Sequence, residues 1–252
     1  MWKKLQFRNS GPVLVREEQH PFGQLLDILY LADFHFTAGS TKRAKALADQ
    51  VISLQPQVVL LGGDYADTPR GLKAFVEFIR AIAARMLVVA VAGNHDWLYR
   101  RRLPELVQKA GGTWLATGQT QQVVLAGGYQ LHIAAPDALS VSPAHKVLRV
   151  LCAHQPPNFA QLYANYDVLF AGHLHGGQLV LWQRNNELYP GRWFYRYNGL
   201  RYRLGDSQLL VSRGLADTVP IRYNCPRELI RLHLAPSCPA PIIDNSSPNA
   251  IQ

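Results

Sequence analysis

Asp33 and His35, Asp64 and Asp67, Asn94 with His95 and Asp96, His154, and finally His173 and His175 bring imidazole, carboxylate and amide groups into a few short motifs. In chain order these read D-x-H, G-D-x-x-D, G-N-H-D, an isolated histidine and G-H-L-H-G-G. Hard oxygen and borderline nitrogen donors without a thiolate suit Mn, Fe, Zn or Co better than Ca or a soft metal. More donors are present than one tetrahedral ion accepts, and a carboxylate can bridge two ions. Two divalent ions about 3.5–4 Å apart generate a nucleophile from water near neutral pH and neutralise phosphoryl oxygens, so the chemistry suggested is hydrolysis of a phosphoric ester or anhydride.

Single residues of this kind have ordinary structural roles. A lone histidine such as His35 is usually a hydrogen-bonded buried polar group, and a lone Asp64 or Asn94 a turn or helix-cap residue. Their placement argues otherwise, because each motif directly follows an apolar run that reads as a buried strand: Leu25 to Leu31, Val58 to Leu61, Leu87 to Ala92, Arg149 to Ala153 and Val168 to Phe170. Residues just past the carboxyl ends of neighbouring strands converge on one edge of an α/β sheet, where ligands bind. Between the first strands, Ala44, Leu47, Ala48, Val51 and Ile52, then Leu72, Phe75, Val76, Ile79, Ile82 and Ala83, follow the spacing of an apolar helix face. A further helix is expected from Leu103 to Ala110 before Gly111-Gly112.

From Thr113 onward the texture is strand and turn: Gln122 to Leu125, Gln130 to Ala134, Gln178 to Leu181, Gln208 to Ser212 and Glu228 to Leu234, with a Tyr- and Arg-rich loop from Arg184 to Leu204. The expected organisation is an N-terminal segment over residues 1–24 that can supply an edge strand, one domain over 25–234, and a Pro/Ser/Asn-rich, disordered tail over 235–252.

In this order and spacing the motifs resemble those of the calcineurin-like metallophosphoesterase superfamily. The segments G-H-L-H-G-G-Q at 172–178, V-S-R-G-L at 211–215 and R-Y-N-C-P-R-E-L at 222–229 are similar to the bacterial branch that includes the YkuE and YaeI phosphodiesterases and the LpxG type of UDP-2,3-diacylglucosamine hydrolase. The first motif reads A-D-F-H where S-D-x-H is common, and G-H-L-H replaces the frequent G-H-T-H; neither change removes a donor. The resemblance implies a four-layer α/β/β/α sandwich with two mixed sheets. It implies one divalent ion on Asp33, His35 and His175, a second on Asn94, His154 and His173, and Asp64 bridging both. Manganese is the first expectation, with Zn, Fe, Co or Mg as alternatives. His95 is then catalytic rather than a ligand, meeting the phosphate and protonating the leaving oxygen or stabilising the transition state, while Asp67 and Asp96 orient ligands or His95. The branch acts on phosphodiesters and pyrophosphates, which makes a lipid-linked UDP-sugar such as UDP-2,3-diacylglucosamine a specific candidate substrate.

Composition narrows the partners. With 26 Lys+Arg against 17 Asp+Glu the net charge is +9, which favours anionic partners: a phosphorylated small molecule or lipid, an anionic membrane surface or, less favoured, nucleic acid. Arg100 and Arg101, followed by Arg102, come directly after G-N-H-D, and Arg192 and Arg196 are interleaved with Trp193, Phe194, Tyr195 and Tyr197; these arginines are candidate substrate contacts. Three cysteines, Cys152, Cys225 and Cys238, form no metal or redox pattern. No apolar run approaches the roughly 20 residues of a spanning helix, so a cytoplasmic or membrane-peripheral location is expected. No partner protein is inferable. The absence of a Walker-type phosphate loop and of a G-x-S-x-G elbow removes support for an NTP-driven enzyme or a serine hydrolase. A metal-dependent nuclease or nucleotide phosphodiesterase is the alternative reading, and a non-catalytic metal-binding adaptor a weaker one.

Overall fold

A computed structural model describes residues 5–7 and 11–236. The first half runs β1 (Leu5–Phe7), β2 (Leu14–Pro21), β3 (Leu26–Leu31), α1 (Thr41–Leu54), β4 (Val58–Leu61), α2 (Pro69–Ala83), β5 (Leu87–Ala90), α3 (Leu103–Lys109) and β6 (Thr113–Trp114). There follow β7 (Thr120–Val124), β8 (Gln130–Ala134), β9 (Val147–Cys152), α4 (Phe159–Leu162), β10 (Val168–Ala171), β11 (Trp182–Arg184), β12 (Glu187–Tyr189), β13 (Arg201–Leu204), β14 (Ser207–Val211), β15 (Ile221–Tyr223) and β16 (Glu228–Ala235).

Two six-stranded mixed sheets carry the architecture, in the orders β2-β16-β3-β4-β5-β6 and β13-β14-β10-β9-β8-β7. In the first, β3, β4, β5 and β6 run parallel out to one edge and antiparallel β16 joins them to β2; in the second, the parallel strands β14, β10, β9 and β8 lie between antiparallel edge strands. Strands covered on both faces read as unbroken apolar runs, which is why β4 is VVLL and β10 is VLFA with every residue buried. Alternation along each strand then sorts the side chains into layers. Leu29, Leu31, Val59, Leu61, Val88 and Ala90 face the helices, whereas Ile28, Tyr30, Val58, Leu60 and Val89 face the second sheet. That sheet answers with Leu148, Val150, Cys152, Val168 and Phe170. Tyr30 stacks on Phe170 at 5.2 Å, and its hydroxyl donates across the interface to the Ala153 carbonyl at 2.8 Å.

The outer faces differ. Helix α2 starts well, with Pro69 in the first turn and the Thr68 hydroxyl accepting from the Gly71 amide at 3.1 Å. Its apolar stripe, with those of α1 and α3, closes the outer face of the first sheet. The outer face of the second sheet is covered by Phe159 and Leu162 of the four-residue α4, with Tyr166, Tyr197 and Tyr202. The four-layer α/β/β/α sandwich is therefore thick on one side and thin on the other. Buried charges tie the two sheets together: Arg16 of β2 donates to the Leu200 and Val211 carbonyls, and Glu228 of β16 pairs with Arg213 beyond β14.

Two expectations are corrected. Gln178 to Leu181 is not a strand: Gln178 has φ 55°, and its buried amide holds the 218–221 segment by accepting from the Thr218 and Val219 amides and donating to the Val219 and Ile221 carbonyls. The stretch from Arg184 to Leu204 is not one loop. Asn185 and Asn186, at φ 50° and 66°, make a two-residue turn that pairs β11 with β12, and β13 adds to the edge of the second sheet. At the chain's start, β2 is the edge strand of the first sheet. At its end, Ala235 lies in β16 and pairs with Pro21, while residues 237–252 of the expected tail lie outside the described residues.

Candidate metal centre

The five motifs meet where the carboxyl ends of both sheets' parallel strands face each other: β3, β4 and β5 deliver the first three, β9 and β10 the last two. The chain turns sharply at each exit. Asp33, His35, Asp64, His173 and His175 all have left-handed φ, from 41° to 70°, a conformation that costs a non-glycine residue about 1 kcal/mol or more and that clusters at functional sites. Close approach demands glycines beside them. A Cβ on Gly93 would lie 2.2 Å from Asp64 Oδ1, and one on Gly214 2.7 Å from Asp33 Oδ2.

The side chains form two adjoining clusters. Asp33, His35 and His175 are one, and Asp64, His154 and His173 the other, each with ligand-type atoms within 4.8 Å of one another. Asn94 joins the second, its Oδ1 lying 2.8 Å from His154 Nε2. Asp64 stands between them: Oδ2 is 3.3 Å from His154 Nε2 and 3.7 Å from His35 Nε2, while Oδ1 accepts the His95 amide at 2.8 Å. His95 and Asp67 group with His35, and the His95 ring meets the His35 ring edge-on at 5.0 Å.

The donor set fits divalent ions. Three imidazoles have one nitrogen committed elsewhere: His35 Nδ1 donates to Asp67 at 2.9 Å, His154 Nδ1 to the Gly62 carbonyl at 2.8 Å, and His175 Nδ1 to the Ala216 carbonyl at 2.9 Å. Each neutral ring then turns an Nε2 lone pair inward, an arrangement typical of metal-binding histidines. His35 Nε2 is buried without a hydrogen-bond partner. His154 Nε2 faces an amide oxygen, a carboxylate oxygen and, at 3.2 Å, His173 Nδ1, a convergence of electron pairs that suits a cation.

Electrostatics follow the packing. Burial alone would raise the Asp64 carboxyl, but His154, the His95 amide and His35 outweigh it and hold the group at about 2. Burial likewise opposes charge on His35, yet the hydrogen bond and charge of Asp67 lift it above the ordinary histidine value. The Asp96 carboxyl is pushed up to about 6 by burial, against three amide donors. Those donors are the Asp64, Tyr65 and Gly93 amides at 2.7–2.9 Å, so Asp96 pins the loop after β4 to the loop after β5. Asp67 and Asp96 are thus positioning residues.

A support that the motif search missed lies behind His175. Arg222, fully buried, donates to the same Ala216 carbonyl at 2.5 Å and pairs with Asp217 at 2.6 Å. Its signal was the R-Y-N-C-P-R-E-L segment, whose first arginine has no motif chemistry of its own. The arginines singled out as substrate contacts lie at the surface. Arg100 and Arg101 are exposed beside Arg102 and Trp97, Arg192 is paired with Glu187 at 3.2 Å, and Arg196 lies over the Tyr197 ring. The space that opens beside Asn94 and His154 is instead a cavity of about 430 Å³ bounded by Pro136–Ala138, Pro156, Pro157, Leu162 and Tyr166.

A family model described as calcineurin-like phosphoesterase matches residues 26–177. The chain is 28% identical over 224 residues to the protein named phosphodiesterase YaeI of Escherichia coli K12, covering 82% of this chain and 81% of that one. It is 25% identical to the metallophosphoesterase YkoQ of Bacillus subtilis, covering 79% of each. Among solved structures, TT1561 of Thermus thermophilus superimposes with a TM-score of 0.47 at 11% identity, covering 76% of this chain and 91% of that one.

Proposed function

The chain belongs to the calcineurin-like phosphoesterase family and is a metal-dependent phosphoester hydrolase, and from that premise we propose that it cleaves a phosphodiester at a centre built for two divalent ions. In this reading Asp33, His35 and His175 hold one ion, Asn94, His154 and His173 the other, and Asp64 both. The observation that carries it is the place of Asp64 Oδ2, between the inward nitrogens of His35 and His154. Manganese is the first expectation for this mixed nitrogen and oxygen set.

Ions bound there supply Lewis-acid activation of water and neutralise charge on the phosphoryl oxygens. The protein's own groups do the rest. Asp67 and the Gly62 and Ala216 carbonyls hold the imidazoles in the tautomer that turns Nε2 inward. His95 is exposed, and its backbone is anchored to Asp64. Its ring is free to approach the bound phosphate, where it donates a proton to the leaving oxygen or a hydrogen bond to the developing charge. A diester substrate is supported by the name of YaeI, which matches most of this chain.

The test is metal analysis together with hydrolysis of bis-p-nitrophenyl phosphate in manganese. Wild type is expected to hold about two equivalents of metal and to cleave the diester. His95→Ala should keep the metal and lose about 10²–10⁴-fold in kcat, whereas Asp64→Ala should lose both metal and turnover. An Asp64→Ala protein with full metal and full activity would refute the bridging role.

A lipid-linked UDP-sugar such as UDP-2,3-diacylglucosamine is the second reading. What favours it is the β11–β12 hairpin and the turn after it, where Trp182 and Tyr189 stack at 5.2 Å and Trp193 and Phe194 are 66% and 76% exposed beside Arg192 and Arg196. Such rings with arginines suit a membrane interface and anionic headgroups. Co-sedimentation with phosphatidylglycerol vesicles, weakened by Trp193→Ala, is the expected result, and no retention by the vesicles removes the support.

A further inference from the structure

The cavity beside the metal centre has a chemistry unlike the rest of the molecule. Its volume of about 430 Å³ lies in the range of roughly 300–1,000 Å³ usual for small-molecule sites. Leu151 and Tyr166, 2% and 3% exposed, are part of the core under the second sheet, so that wall is rigid. The Tyr166 hydroxyl donates to the Ala138 carbonyl at 3.0 Å, which locks two walls together. Asn94 and His154 form the side shared with the metal centre, and the exposed Gln155 and Asn165 stand at the opening.

Charge is the telling feature. The chain carries +9, yet none of the lining residues is a lysine or arginine. The one carboxylate among them is Asp137, exposed and held in a left-handed conformation at φ 62°. Away from the side shared with the metal centre, an ester group bearing a further phosphate or carboxylate would meet no lysine or arginine and would approach Asp137. A neutral group with an apolar body meets Pro136, Ala138, Leu162 and Tyr166, and can hydrogen-bond to the amides at the opening.

We propose that this cavity receives one ester group of the substrate and selects a neutral, largely apolar group over one with additional negative charge. The inference rests on the phosphodiesterase reading above, and names the substrate class of that site.

Diphenyl phosphate and bis(4-carboxyphenyl) phosphate separate the possibilities, because each is symmetric and presents the same charge whichever end enters. With the manganese-loaded enzyme, kcat/KM should favour the diphenyl ester by about tenfold or more, mostly through KM. Ala138→Arg should narrow that preference about tenfold, and Asp137→Asn, which tolerates the same backbone, should narrow it by a smaller factor. If bis-p-nitrophenyl phosphate is cleaved but the preference is absent, or is identical in wild type and both variants, the cavity is not the selecting site. If no diester is cleaved at all, the phosphodiesterase reading itself fails.

Discussion

The two sheets contribute to one centre in opposite styles. Every carboxylate in it, Asp33, Asp64, Asp67 and Asp96, follows a strand of the first sheet, whereas the second sheet contributes only imidazoles: His154, His173 and His175. The first sheet is backed by three helices and the large aromatic packing of Phe34, Phe36, Phe75 and Phe78, while the second is backed by one turn of helix and a few tyrosines. The substrate-sized cavity and the exposed aromatic hairpin both belong to the thin side. Carboxylates that are to hold metal ions have to be held rigidly, and they sit where the packing is deepest. Recognition can vary on the other side, where few buried contacts constrain the loops.

Matched truncations give the largest test of that contrast. Phe75→Ala, fully buried against Tyr65 at 4.1 Å between ring centroids, should cost about 3–5 kcal/mol in denaturant unfolding. Leu162→Ala, half-buried in α4, should cost about 1–2 kcal/mol. Equal losses would mean that the thin layer is as constrained as the thick one. A smaller effect separates the supports of the two clusters. Asp67→Asn and Arg222→Lys should each weaken manganese binding about 10–100-fold, by disturbing His35 and His175 respectively. Only Arg222→Lys should also lower the melting temperature of the chelated protein, since Arg222 is fully buried among backbone carbonyls whereas the Asp67 side chain is 39% exposed. Unchanged metal affinity in Arg222→Lys would show that the Ala216 carbonyl orients His175 unaided.

Much of this was legible along the chain. The strands β3, β4, β9 and β10 are short apolar runs, and the helix faces of α1 and α2 repeat at helical spacing, so local pattern and final packing agree. Where local pattern misled, a side-chain or turn conformation had overridden it. Gln178 reads as a strand start but spends its amide on a distant loop, and the Asn185-Asn186 pair makes a hairpin out of a stretch that reads as a polar, aromatic loop.

The sequence by itself determined which donor atoms are available and at which strand ends, because each motif is a few residues long and its strand is encoded beside it. The tertiary structure alone decided which nitrogen of each imidazole faces inward and that one oxygen of Asp64 lies between His35 and His154. It also decided that the arginines lie away from the cavity beside the site. Those outcomes depend on contacts between residues far apart in the chain, such as His154 with the Gly62 carbonyl 92 positions away and Tyr30 with Ala153 123 positions away. No local spacing encodes such contacts, since they exist only once two sheets have packed face to face.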